Sequence, residues 1–150
     1  MPLQSVLFRG DPQLEAAAVE DSAHVARGAR GEHVRKIQKG LNVVVGSTLA
    51  EDAVYGPRTA ACILDYKKSR KIIGHAYQMQ ADDIVGKLTI ALLDAEIALL
   101  EVLEDYNRTL RATPVSLKDL KSGTIANSRA FKVQLAVTAL DNVQRRISSS

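Results

Sequence analysis

Apolar positions repeat at helical spacing through most of this chain. Val34, Ile37, Gln38 and Leu41 fall at i, i+3, i+4 and i+7, with Arg35, Lys36 and Lys39 on the opposite side, which predicts a helix from about Glu32 that ends by Gly46-Ser47. Thr59, Cys62, Ile63 and Tyr66 predict a second helix, opened by Pro57 and ended by Gly74. Leu88, Leu92, Ala95 and Leu99, with Thr89, Leu93, Ile97 and Leu100, predict a third from about Lys87 to about Asn107. Asp11 and Pro12 open a short helix to Glu20, after an arm over residues 1–11 and before a loop over 21–31. Pro114 is a break, Ser116 caps a short turn, and Asn127 or Ser128 opens a last helix with Val133, Ala136, Val137, Leu140, Val143 and Ile147 on one side. Strand signals are weak. The one β-branched run, Leu41–Val45, lies at a helix end.

Two stretches match at a spacing of 30. Asp52 falls on Asp82, Val54 on Ile84, Gly56 on Gly86, Thr59 on Thr89 and Ala61 on Ala91. Each is a turn that feeds a helix. Asp52 and Asp82 either bind a ligand's amides or hydroxyls, or accept backbone N–H groups in their turns and cap the helices that follow. Duplication favours the second reading, since a ligand site needs no two copies of one turn. Gly56 and Gly86 are expected to supply positive φ or a close backbone approach. Gly40 is expected to leave room for a close neighbour. Tyr55 faces Val85 in the second copy, so the turn itself requires no aromatic. Its ring either packs in the core or offers a flat face to a sugar.

Composition adds limits. Of 150 residues 46% are apolar and only 4% aromatic, without Trp, so the core is built from Leu, Ile, Val and Ala, which suits closely packed helices. The net charge of +3 is unevenly spread: residues 1–97 carry 12 basic and 12 acidic side chains, and residues 98–150 carry 8 and 5. A neutral first part argues against a nucleic-acid module. No window has the length of a membrane span. The start of the chain has no signal-peptide pattern, which implies cytoplasmic synthesis, with any passage to the periplasm or a target cell independent of a cleaved signal. Cys62 is the single cysteine, expected as packing. His24, His33 and His75 lack metal-ligand spacing. The acidic pairs Glu51-Asp52 and Asp82-Asp83 fall at the repeated turns, and no room remains for a separate catalytic domain, so the expectation is a non-enzyme. The tract Lys67-Lys68-Ser69-Arg70-Lys71 either meets anionic polymers or serves the helix C-terminus.

The series Gly31…Val34…Ile37-Gln38…Leu41, then Asp52…Tyr55-Gly56-Pro57…Thr59…Tyr66, then Asp82…Ile84-Val85-Gly86…Thr89, resembles the bacterial peptidoglycan-binding domain family over roughly residues 28–97. The lead-in also looks like that of signal-less proteobacterial members, some linked to specialised secretion. The resemblance implies an all-α, compact three-helix bundle with two turn–helix repeats (28–97), preceded by an arm and short helix (1–27) and followed by a helical extension (98–150). It implies a non-catalytic module that binds peptidoglycan glycan or stem peptide without cofactor or metal, and that targets or delivers a cell-wall-active effector. The implied contact residues are Asp52, Tyr55, Arg58, Tyr66, Tyr77 and Asp82. The chain departs from the family at Ala53 and Asp83, where Gly is usual, at Lys87, where Pro is usual, and at Tyr66-Lys67, where Phe-Gln is usual. Two other readings stand beside this one. One is an adaptor of a secretion system that docks a protein, or a second copy, through residues 126–147. The other is a small cell-wall-active toxin.

Overall fold

The computed structural model describes residues 2–72, 81–112 and 129–149. Within them the regular elements are α1 (Pro12–Val19), a 3-10 turn (Asp21–Ala23), α2 (Glu32–Val45), α3 (Pro57–Arg70), α4 (Lys87–Ala112) and α5 (Arg129–Ser149). The fold is all-α, and α2, α3 and α4 are the three helices expected over residues 28–97. The break at Pro114, the turn at Ser116 and most of the connection at 75–81 lie outside the described residues.

Local chemistry sets the helix ends. The Asp11 carboxylate accepts from the N–H groups of Gln13 and Leu14 at 3.0 and 3.2 Å and so caps α1, with Pro12 behind it. α2 buries Val34, Ile37, Gln38 and Leu41 and stops at Gly46, which takes φ +69°. The β-branched run stays helical because Leu41 is buried and Val44 packs against the core, which outweighs a few tenths of a kcal/mol of propensity per residue. α3 ends at Arg70, short of Gly74. Lys71 turns left-handed at φ +59°, and the N–H groups of Lys71 and Ile72 bond back to the carbonyls of Lys68 and Lys67 at 3.2 and 2.9 Å.

α4 is the element on which α1, α2 and α5 pack. It buries Ile90, Leu92, Leu93 and Ile97 and contacts α1, α2 and α5. Its crossing with α2 depends on Gly40. A Cβ there would stand 2.7 Å from Ile97 Cδ1 and 3.3 Å from Phe8 Cζ, so the expected close neighbour is real.

Residues 2–11 are part of this core rather than a peripheral arm. Phe8, Leu3 and Ser5 are buried. Two α4 carboxylates, two helical turns apart, hold the segment. Asp94 accepts from the N–H groups of Gln4 and Ser5 at 2.8 and 2.9 Å, and Glu101 from those of Val6 and Leu7 at 2.8 and 3.2 Å. Backbone donors that would otherwise be stranded under the core are thereby satisfied.

α5 lies along α4, with Ala136 and Ile147 buried and Leu140 and Val143 partly so. Val137, expected on the same stripe, is 43% exposed, because the buried face runs through 136, 140, 143 and 147.

Candidate binding face at the two turns

Each turn is wired to the helix before it by one buried polar side chain. Gln38, 1% exposed on α2, donates its amide to Asp52 Oδ1, the Val54 carbonyl and Thr59 Oγ1 at 2.9, 3.0 and 3.1 Å, and its Oε1 accepts from Ala53 N–H at 3.1 Å. Twenty-nine residues later Lys67, 7% exposed on α3, donates to Asp82 Oδ1 and to the Ile84 carbonyl, the latter at 2.9 Å. Lys67 therefore does not belong to an exposed cationic tract; it is the second copy of Gln38, with an ion pair where the first copy has an amide. A Lys at this depth is stable only because it is paired and hydrogen-bonded.

Asp52 and Asp82 are turn-makers. Oδ1 of each accepts the N–H two residues on, Val54 at 3.0 Å and Ile84 at 3.1 Å. Asp52 does not cap the following helix: Gly56 is the N-cap of α3, and no side chain bonds there. The Gln38 amide, followed by the Val54 N–H, holds the exposed Asp52 carboxyl below its ordinary range.

The glycines of the repeat behave differently from expectation. Gly56 has φ −99°, and a Cβ at Gly56 or Gly86 would meet nothing within 4 Å. The left-handed position of the first turn is Ala53, at φ +64°. Asp83, its counterpart, is not left-handed; among the described non-glycine residues only Ala53 and Lys71 are. The two turns thus share their Asp hydrogen bond but not their backbone path.

Residues 25–31 join the copies. Val25 and Val85 exchange both backbone hydrogen bonds, at 2.9 and 2.8 Å. Gly28 N–H donates to the Tyr55 carbonyl, Tyr55 N–H to the Ala29 carbonyl and Gly31 N–H to the Ala53 carbonyl, at 3.1, 2.9 and 3.0 Å. One segment, itself turned at Gly28, is thus clamped against both repeated turns, and Arg27 is paired with Asp83 at 2.7 Å.

The expected contact residues separate on this frame. Tyr55 is 1% exposed and its hydroxyl donates to the Asp83 carbonyl, so it ties the first turn to the second and offers no ring face to a sugar. Tyr66 is 2% exposed, donates to Glu96 Oε2 at 2.6 Å and lies under the Arg70 guanidinium, 4.5 Å from its centroid. Burial pushes both phenols well above the usual tyrosine range; Asp83 and Asp82 add to the effect at Tyr55, and Glu96 at Tyr66. Both aromatics are core because their apolar bodies fill the bundle while each hydroxyl finds an acceptor at its edge. Asp82 is half-buried and bound to Lys67. Asp52 and Arg58 remain exposed, Arg58 on the first turn of α3 and Asp52 in the turn before it. Tyr77 lies outside the described residues.

Sequence reasoning placed Gln38 on the buried face without a role, and it missed Lys67. The spacing of 29 between Gln38 and Lys67, beside the 30 between Asp52 and Asp82, is the signal that finds them. Cys62 is half-buried against the core, and its partial burial pushes the thiol pKa up. Among the described residues no three His, Cys, Asp or Glu side chains gather as a metal site, and no helix is long and apolar enough to cross a membrane.

In comparison with known proteins, no family model, curated protein or solved structure matches this chain.

Proposed function

We propose that the chain is a non-catalytic module that binds peptidoglycan through the outer face of the first turn, where Asp52 and Arg58 stand over the Gln38 hub. The observation that supports this reading is the duplicated helix–turn unit with its buried polar connector, Gln38 in one copy and Lys67 in the other. It gives a structural reason for the spaced residues that carry the family resemblance, and it leaves a rigid, polar, solvent-facing turn above each connector. Neutral sugars and short peptides would be held there by hydrogen bonds from the Arg58 guanidinium and to the Asp52 carboxylate. Tyr55 and Tyr66 drop out of the contact set because both are buried.

The other readings have less behind them. Docking of a partner or a second copy through residues 126–147 needs an open stripe, and Ala136, Leu140, Val143 and Ile147 are turned toward α4. A wall-degrading toxin needs a general acid. The carboxylates of Asp52 and Asp82 each accept hydrogen bonds from donors of their own unit, which is a structural role.

Co-sedimentation with purified sacculi at low and moderate salt tests the proposal. Retention of the wild type, weakened several-fold by Arg58→Ala or Asp52→Ala with the helical circular dichroism unchanged, is the expected result. No retention at either salt sinks it. Zymography on the same sacculi is expected to stay blank.

A further inference from the structure

Every backbone N–H from Leu3 to Gly10 has an acceptor, and six of the eight are held by helix carboxylates. Asp94 takes those of Gln4 and Ser5, and Glu101 those of Val6 and Leu7. Glu15 on α1 takes Leu3 N–H at Oε2 and Gly10 N–H at Oε1, both at 3.1 Å. The other two stay inside the segment: Phe8 N–H donates to Ser5 Oγ at 3.1 Å and Arg9 N–H to the Ser5 carbonyl at 3.0 Å. The helices thus grip this segment by its main chain, through charge-assisted bonds. Phe8 is the apolar anchor, fully buried with its ring beside Gly40 at the α2–α4 crossing, and Leu3 and Ser5 are buried with it. Arg9 is the segment's one charged side chain, so residues 2–10 bring no acid to the three carboxylates.

The segment joins the body at one point. Asp11 is fixed there, because Oδ1 caps α1 and Oδ2 pairs with Lys36 at 3.1 Å. Gly10, one residue before, is exposed and takes φ +80°, and a Cβ on it would meet nothing within 4 Å. This left-handed residue turns the segment back onto its own seat, and an extended residue at the same place would send it away from the body. Two bonds belong to the joint itself, Gly10 N–H to Glu15 and Asp11 N–H to the Phe8 carbonyl at 3.2 Å. Every other bond of the grip, and the burial of Phe8, Leu3 and Ser5, is available to the same segment arriving from another copy.

We infer that the seat formed by α1, α2 and α4 is an interaction surface for a second copy of this chain, which fills it with its own residues 2–9 while giving up its seat in return. The occupant is specified by what the seat buries: Leu3, Ser5 and Phe8 at their own spacing, with the intervening N–H groups presented to Asp94 and Glu101. Exchange of this kind is reciprocal and closes as a two-fold dimer. A tethered segment meets its own seat at an effective concentration on the order of millimolar, so the wild type stays a closed monomer at micromolar concentration. Straightening Gly10 removes that advantage and leaves the contacts of the seat unchanged. The surface is distinct from the α5 stripe, and the inference is independent of the wall-binding reading.

The test is the mass of the full chain in solution, read by light scattering behind size exclusion. Gly10→Pro forbids the left-handed turn, since proline holds φ near −65°, and also drives Arg9 toward extended backbone. The expected result is a monomer for the wild type at micromolar concentration and a doubled mass for Gly10→Pro. Adding Phe8→Ala to Gly10→Pro removes the anchor and is expected to return the mass to that of a monomer. A folded Gly10→Pro that stays monomeric overturns the proposal, and so does a dimer that survives Phe8→Ala, because it would use another surface. If circular dichroism shows that Gly10→Pro does not fold, the wild type decides. Isotopically heavy and light chains are unfolded together in urea, refolded near millimolar concentration and examined by native mass spectrometry. Mixed heavy–light dimers are expected, and their absence overturns the proposal.

Discussion

Ala53→Gly and Asp83→Gly replace equivalent positions of the two turns, 30 residues apart, and are expected to change stability in opposite directions. Ala53 sits at φ +64°. An L residue there brings its Cβ against the backbone at a cost of about 1–2 kcal/mol, which glycine avoids. Glycine also loosens the unfolded chain, which subtracts about 0.4–1 kcal/mol. The hydrogen bonds at this position use only the backbone, Ala53 N–H to Gln38 and the Ala53 carbonyl from Gly31, so the substitution keeps both. The net expectation is a gain of about 0.5–1 kcal/mol, or roughly 1–4 °C in the thermal midpoint for a chain of this size. Asp83 is not left-handed, so glycine relieves nothing there. It adds the same chain entropy and deletes the pair with Arg27, whose side chain is 62% exposed and which contributes under about 1 kcal/mol. A loss of about 1 kcal/mol follows. Urea unfolding followed by circular dichroism, with wild type and both variants side by side, reads the difference. A destabilised Ala53→Gly, or a stabilised Asp83→Gly, refutes the argument that the two turns differ in backbone path.

Gly40→Ala is expected to destabilise by about 1–3 kcal/mol in urea unfolding, although alanine is the better helix former by about 1 kcal/mol, because the new methyl meets Ile97 at 2.7 Å. Lys67→Met takes the cation from the Asp82 carboxylate, which keeps the Ile84 N–H; its side chain is 27% exposed, which reduces the cost of breaking the pair to about 2 kcal/mol, and Lys67→Gln, which keeps an amide donor as in the first copy, is expected to lose less by the same measurement. The Asp52 carboxyl has its pKa lowered by Gln38 and by the Val54 N–H, so its contribution is present above its unfolded value near 4 and is lost as pH falls through the lower folded value. Stability of the wild type is therefore expected to decline below about pH 4, and Asp52→Asn to show a shallower decline in unfolding midpoints taken across that range.

Much of the helical frame was legible because it rests on local rules. The Asp11 cap, Pro12 and Pro57 at helix starts, the stop at Gly46 and the face of α2 each follow from neighbours within a few residues. The larger misreadings concern contacts between distant segments. Residues 2–11 carry no helical period, and only α4 carboxylates about 90 positions away show why their N–H groups can be buried. Lys67 sits in a run of cations that suggests a solvated helix end, and its true partner is a carboxylate 15 residues on. Tyr55 was ambiguous between core and ligand, and the segment 25–31, clamped over both turns, decides for the core. Gly56 and Gly86 invited a backbone argument that belongs to Ala53, since repeated glycine marks the helix start there rather than left-handed backbone. On α5 the helical period puts 136, 140, 143 and 147 toward the core, where they lie, but also Val137, which is one residue of helical phase away and exposed.

The central claim is that the first turn presents a wall-binding face whose aromatic support is internal. Its most direct measurement is sacculus co-sedimentation of wild type, Arg58→Ala and Tyr55→Phe in parallel. Tyr55→Phe loses the bond to the Asp83 carbonyl and about 1 kcal/mol of stability, yet keeps the buried ring and the outer face. The account predicts that wild type and Tyr55→Phe are retained equally and that Arg58→Ala is retained several-fold less. Failure of the wild type to sediment with sacculi, or retention by Arg58→Ala equal to wild type, contradicts it.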